Sequence, residues 1–180
     1  MAVSIEEMIN DVLRKEGGFV NNPADRGGPT KFGITQATLS RFLHKAATVD
    51  DVRRMDIETA RDIYQLRYFH QPRIDKLPAE IQPFVFDCAV NHGPRRAIAF
   101  VQMVCNEAGF GPLALDGFMG PKTKAVADAC YAAMQQWMLL ALIQERKMFY
   151  TTLVAQDETQ RIFLKGWLTR ANSFLPQVAA

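Results

Sequence analysis

Cysteine, histidine and net charge are all scarce in this chain of 180 residues, and each scarcity closes a class of function. The three cysteines, Cys88, Cys105 and Cys130, are odd in number and lack the spacing of a disulfide framework. Each sits in an apolar helical pattern, where a free thiol behaves as a small hydrophobe. His44, His70 and His92 are scattered and form no H-x-x-x-H cluster, so neither a metal nor another cofactor is expected. Lys and Arg number 21 against 19 Asp and Glu, a net charge of +2 that implies no nucleic-acid partner. Long apolar runs are missing too. The longest, Trp137 to Ile143, is far too short for membrane insertion. The opening Met-Ala-Val-Ser-Ile-Glu-Glu has no basic region followed by an apolar stretch, so no secretory signal is expected and the protein would be made in the cytoplasm. Alternating strand patterns are absent as well, which predicts a mainly helical fold with at most a short hairpin between Phe19 and Ile34.

What is present begins with one amphipathic helix. Ile5, Met8, Ile9, Val12 and Leu13 fall at i, i+3, i+4, i+7 and i+8, the spacing of a single apolar stripe. Ser4 with Glu7 three residues on is a capping-box start, and Gly17-Gly18 is a stop. Glu16, seven residues after Ile9 and four after Val12, continues the buried stripe instead of the solvated face of Glu6, Asn10 and Arg14. A carboxyl held against apolar surface resists ionisation, because desolvation penalises the charged form, and a protonated carboxyl is what a general acid requires. Position alone leaves the commoner outcome, a last-turn glutamate reaching into water, in contention.

The following loop alters that balance. Asn21-Asn22-Pro23 and Gly27-Gly28-Pro29 supply turn formers enough to fold the segment back, bringing Asp25 toward Glu16. Glycosidic hydrolysis uses two carboxyl groups about the cleaved bond, one protonating the leaving oxygen and the other stabilising the oxocarbenium-like state or activating water. Glu16 and Asp25 meet that need. Thr30 is placed either to orient the attacking water or simply as a turn hydroxyl.

These residues form a recognisable run. Glu-Gly-Gly-Phe, Asn-Pro-x-Asp-x-Gly-Gly-Pro-Thr and Phe-Gly-Ile-Thr resemble the signature of glycoside hydrolase family 108, found in phage endolysins and bacterial N-acetylmuramidases. Phe19 departs from the tyrosine more usual after the two glycines, one aromatic exchanged for another. The resemblance implies a lysozyme-like α+β fold with a short hairpin near the active site. It also implies Glu16 as the catalytic acid, with Asp25 and Thr30 completing a set similar to the triad of phage lysozymes. The implied reaction is hydrolysis of the β-1,4 bond between N-acetylmuramic acid and N-acetylglucosamine. A non-catalytic wall-binding protein and a glycosidase for chitin or chitosan are the alternatives. Peptidoglycan is the implied partner, met by a monomer in the periplasm or outside the cell after assisted release.

Further along, Thr35 reads as an N-cap leading a helix through about Leu43, and Asp56 caps another that runs to Pro72. Its Tyr64, Tyr68 and Phe69 suit either core packing or stacking on sugar rings, with Tyr68 the candidate for the cleft. Ile81 to Asn91 is apolar nearly all round, a buried helix in which Asp87 and Asn91 share a face. They are either a structural hydrogen-bonding pair or a polar strip shaping the glycan site. The segment Phe-Asp-x-Ala-Val-Asn-His-Gly resembles another motif of the family, so the resemblance implies substrate contacts for Phe32, Tyr68, Asp87 and Asn91. Leu115-Asp-Gly-Phe-Met-Gly-Pro-Lys-Thr123 resembles a turn of peptidoglycan-binding modules and physically is an Asp-Gly turn before a Gly-Pro helix start. One helix is expected from Pro121 to about Ala155 and a last from about Thr159 to Ser173, with Trp137 and Trp167 as core anchors. Residues 1–92 would form the catalytic region and 93–180 a helical peptidoglycan-binding region packed with it as one unit.

Overall fold

The computed structural model describes residues 3–21 and 28–175, and in it the chain opens as a reciprocal capping box. The Ser4 hydroxyl accepts from the Glu7 amide at 3.2 Å while Glu7 Oε2 accepts from the Ser4 amide at 2.8 Å. Helix α1 (Ile5–Lys15) then buries Met8, Ile9 and Val12, the centre of the expected stripe. Two short antiparallel strands follow, β1 (Thr30–Lys31) and β2 (Ile34–Thr35), with Thr30 opposite Thr35 and Lys31 opposite Ile34. Val20 adds a bridge to Thr30, so three passes of chain meet beside the end of α1.

Thr35 closes β2 and caps α2 (Gln36–Leu43), its hydroxyl accepting from the Thr38 amide at 3.2 Å. Helix α3 (Val49–Arg54) carries a Thr48–Asp51 capping box, and α4 (Ile57–Ile63) is capped by Asp56. Beyond Ile63 the helix widens into a π-helical segment, Tyr64–His70, where the Gln71 amide reaches back five residues to the Leu66 carbonyl at 2.8 Å. The sequence predicts helix here but not the wider turn, since nothing in its periodicity separates the two. Ile9, Val12, Ile34, Leu39, Val52 and Ile63 form the core of this first compact unit, which ends at Gln71.

The second compact unit starts at Pro72. The reason is α5 (Gln82–His92), which packs chiefly on α6 (Pro94–Glu107). Phe84 through Ala89 are all buried, as an all-round apolar helix should be. Gly93 at φ 82° turns the chain between the two helices, a backbone angle that costs glycine nothing.

One helix was expected over Pro121 to Ala155, and the structure corrects this: α7 (Pro121–Met134) and α8 (Gln136–Gln156) meet at a bend of 113°. Gln135 makes the corner at φ 52°, its amide still bonded to the Tyr131 carbonyl at 2.7 Å and its side chain to the Ala132 carbonyl at 3.0 Å. No glycine or proline marks the spot, so the break is imposed by packing. It lets Ala127 and Cys130 on one side and Met138, Leu142 and Ile143 on the other all be buried. The corner also leaves Trp137 63% exposed, which corrects its reading as a core anchor. Trp167 on α9 (Arg161–Asn172) is half-buried, stacked on Tyr150 with ring centres 5.1 Å apart. Among the described residues no single helix is long and apolar enough to cross a membrane.

A buried charge network ties α5, α8 and α9 together. Arg146, fully buried, donates to Asp87 Oδ2 at 2.7 Å, and Arg170 donates to Oδ1 at 2.9 Å. Burial alone would raise the Asp87 pKa, but the Arg170 hydrogen bonds and the Arg146 charge outweigh it and hold the carboxyl below the ordinary carboxylate range. Asp87→Asn, measured by urea unfolding, should lose about 3 kcal/mol or more, because it leaves buried guanidinium without its counter-charge. A depressed folded-state pKa stabilises above the unfolded value of about 3.9 and stops doing so as pH falls through the folded value. The wild type should therefore lose stability below about pH 4, and this acid-side loss should be smaller in Asp87→Asn.

Candidate active site

Four residues from three elements meet at the end of α1, and the smallest of them organises the rest. Phe32 and Gly33 form the two-residue connection between β1 and β2, with φ values of 51° and 73°. Positive φ at both central positions is the signature of a type I′ hairpin, whose twist matches its strands. Gly33 adopts this freely. Phe32 does not, and a bulky residue there carries on the order of 1–3 kcal/mol of strain. Two hydrogen bonds offset it: the Phe32 amide donates to the Gly17 carbonyl at 3.1 Å, and the Tyr64 hydroxyl donates to the Phe32 carbonyl at 2.8 Å.

Glu16 is the C-cap of α1, its backbone already extended at φ −93° and ψ 145° while its amide still bonds to the Val12 carbonyl at 3.1 Å. Its half-buried side chain lies over the hairpin turn. A Cβ placed on Gly33 would stand 2.9 Å from both the Glu16 carboxyl carbon and Oε2, and 2.6 Å from the Tyr64 hydroxyl oxygen. The absent methyl is thus the space that the carboxyl and the phenol share. Glu16 is directed onto a turn and an aromatic hydroxyl instead of into bulk water.

The hairpin is held from several sides. Lys31 donates to the Arg53 carbonyl at 2.7 Å, joining β1 to α3, and the Arg53 guanidinium lies 4.9 Å from the centre of the Phe19 ring. Arg61 donates to Asn10 at 2.6 Å, joining α4 to α1. Thr30 is fixed by its backbone to Val20, and its hydroxyl donates to the Gly28 carbonyl at 3.0 Å. With its proton used there, the Thr30 oxygen keeps lone pairs to accept from a water molecule. Asp25 lies outside the described residues.

Of the three aromatic residues in the π-helical segment, Tyr64 and Phe69 are buried and Tyr68 keeps a partly exposed ring, 5.4 Å from that of Tyr64. Asp87 and Asn91 belong to the second unit. There both Asp87 oxygens are taken by arginines, and the Asn91 amide donates to the Asp87 carbonyl at 2.7 Å and to Oδ2 at 3.3 Å. That geometry is the structural pair of the two alternatives the sequence leaves open, and it offers no carboxylate oxygen to a ligand. Sequence reasoning does not single out Gly33 or Tyr64. The signal for Gly33 is in the chain nonetheless: Phe-Gly between Thr-Lys and Ile-Thr is a two-residue hairpin with glycine at a turn position.

Residues 9–93 match the family described as glycosyl hydrolase 108, and residues 96–172 match a predicted peptidoglycan domain. Among solved structures, that of Brucella abortus SagA is similar at 28% identity and a TM-score of 0.73, over 98% of each chain. The shared fold is lysozyme-like, mainly helical with a two-stranded antiparallel hairpin, as expected from sequence. No curated protein sequence matches this chain.

Gly33→Ala tests the shared space. The added methyl has to displace either the Glu16 carboxyl or the Tyr64 hydroxyl. Activity on peptidoglycan should fall by about 10²-fold, the usual effect of misplacing a reacting group by an ångström. Thermal unfolding should show a loss of only about 1–3 kcal/mol from the positive φ.

Proposed function

On the footing that residues 9–93 match glycosyl hydrolase family 108, we propose that this peptidoglycan hydrolase is an N-acetylmuramidase with Glu16 as its general acid. It would cleave the β-1,4 bond between N-acetylmuramic acid and N-acetylglucosamine. The observation that carries this reading is the setting of Glu16: a helix-capping carboxyl, half-buried, packed on a fixed hairpin turn where only glycine leaves it room. A general acid must hold one orientation toward the leaving oxygen while it transfers its proton, and a side chain fixed by packing on rigid elements does so.

The remaining roles follow from the chemistry of the reaction. Departure of the protonated sugar oxygen leaves an oxocarbenium-like centre, and water must arrive at the anomeric carbon with its proton accepted by a base. Asp25 takes that proton, and Thr30, whose hydroxyl proton is spent on the Gly28 carbonyl, orients the water through a free lone pair. Tyr68 offers its partly exposed ring to a sugar face, and Phe32 shapes the turn beneath the carboxyl.

Glu16→Gln removes the transferable proton while preserving side-chain size. Turnover on purified peptidoglycan should drop by at least about 10²-fold, with thermal stability near that of the wild type. Mass spectrometry of the fragments released by the wild type should show reducing N-acetylmuramic acid ends. Anhydro ends would reveal a lytic transglycosylase, N-acetylglucosamine ends would move the cleavage to the other bond, and faster turnover of chitin would reassign the substrate.

A further inference from the structure

The second unit holds a cleft of about 370 Å³ between the first turns of α6 and the loop after it, lined by His92, Arg95, Arg96, Ala99, Leu115 and Asp116, with Gly117 at its edge. Its two cations rest on aromatic rings. The Arg95 guanidinium lies 4.4 Å from the centre of the Phe118 ring and that of Arg96 5.0 Å from the centre of Phe149. A guanidinium resting on a ring keeps its in-plane N–H edge free, the edge that matches the two oxygens of a carboxylate. Among the described residues neither arginine has an ion-pair partner within 4.0 Å.

The other polar groups of the cleft are engaged within the fold, and the Gln102 and Phe118 hydrogen bonds together with the nearby Arg95 charge hold the Asp116 carboxyl below the ordinary range. Asp116 Oδ1 already accepts from Gln102 Nε2 at 2.8 Å and from the Phe118 amide at 2.9 Å. His92 is neutral, because burial and the nearby Arg146 charge bring its pKa down to about 4. Its Nε2 lies 3.1 Å from the Tyr150 hydroxyl, which accepts from Arg146 Nε at 2.8 Å.

The opposite wall is preformed. Gln102, buried, also receives the Gly117 amide at 2.9 Å, and a Cβ on Gly117 would stand 2.4 Å from the Arg95 carbonyl oxygen. Loop backbone therefore lies directly on helix backbone, and the site needs no ordering on binding. Exposed Leu115 and Ala99 supply an apolar patch beside the arginines.

We propose that this cleft binds the free carboxylate of a short peptide, with Arg95 and Arg96 holding its oxygens and Leu115 and Ala99 receiving the adjoining aliphatic side chain. The inference rests on the reading of the chain as a peptidoglycan enzyme, whose substrate carries short peptides rich in alanine and ending in carboxylates. It gives the region matching a predicted peptidoglycan domain a specific chemical target, the peptide and not the sugar. The cleft would then select strands by the state of their stem peptides.

The test is titration of the full-length protein, followed by NMR, with N-acetylated Lys-D-Ala-D-Ala and with its C-terminal amide. The acid should bind at least about tenfold more tightly than the amide, the effect of losing one charge-assisted pair. Its shifts should centre on Ala99 and Leu115, and Arg95→Gln with Arg96→Gln should abolish the preference. Equal binding of acid and amide, binding elsewhere, no binding, or a double variant that keeps the preference would overturn the proposal. So would inorganic phosphate displacing the peptide at lower concentration than acetate does. Reducing-end release from whole peptidoglycan by the wild type is scored alongside. If that release occurs and the carboxylate preference does not, the cleft inference alone fails; if no release occurs, the enzymatic reading beneath it fails as well.

Discussion

The arrangement at the end of α1 depends on a missing methyl group. Position 33 lies where a helix end, a hairpin turn and a π-helical segment converge, and the space of one absent side chain admits both the Glu16 carboxyl and the Tyr64 hydroxyl. The same turn is fixed by the Tyr64 bond to the Phe32 carbonyl and by the Phe32 amide bond to Gly17, the residue directly after Glu16. The turn is thus tied to the backbone beside Glu16. Strain at Phe32 is tolerated because both of its backbone groups are engaged.

The two units use polar groups in opposite ways. In the first, a carboxyl is left half-buried and without a cation among its described neighbours, suited to chemistry. In the second, the Asp87 carboxylate is surrounded by Arg146 and Arg170 and spent on joining three helices. A buried acid with two guanidinium partners is a structural fastening, expensive to assemble and more expensive to break from one side. Arg95 and Arg96, on α6, are stacked on rings, and among the described residues neither has an ion-pair partner within 4.0 Å.

Much of this was legible in the chain. The Ser4–Glu7 capping box, the Thr35 and Asp56 caps, the Asp116-Gly117 turn and the buried α5 all follow from local rules, because caps and turns are decided by a few neighbouring residues. The position of Glu16 at the helix end was legible for the same reason. Less was visible where tertiary packing overrode local preference. Gln135 breaks a run of good helix formers without glycine or proline, exposing Trp137, and the widened turn at Tyr64–His70 has no periodic signature. The pairing of Asp87 with arginines 59 and 83 residues away was beyond any local rule, which is why both its readings stood open.

A crystal structure of the Glu16→Gln protein with a bound wall-glycan tetrasaccharide tests the central claim most directly. The side chain at position 16 should lie within about 2.6–3.2 Å of a glycosidic oxygen, the reach of a proton donor, with the sugar seated above the Phe32-Gly33 turn. A glycan bound along another face, with position 16 out of hydrogen-bonding range of any glycosidic oxygen, would contradict the account.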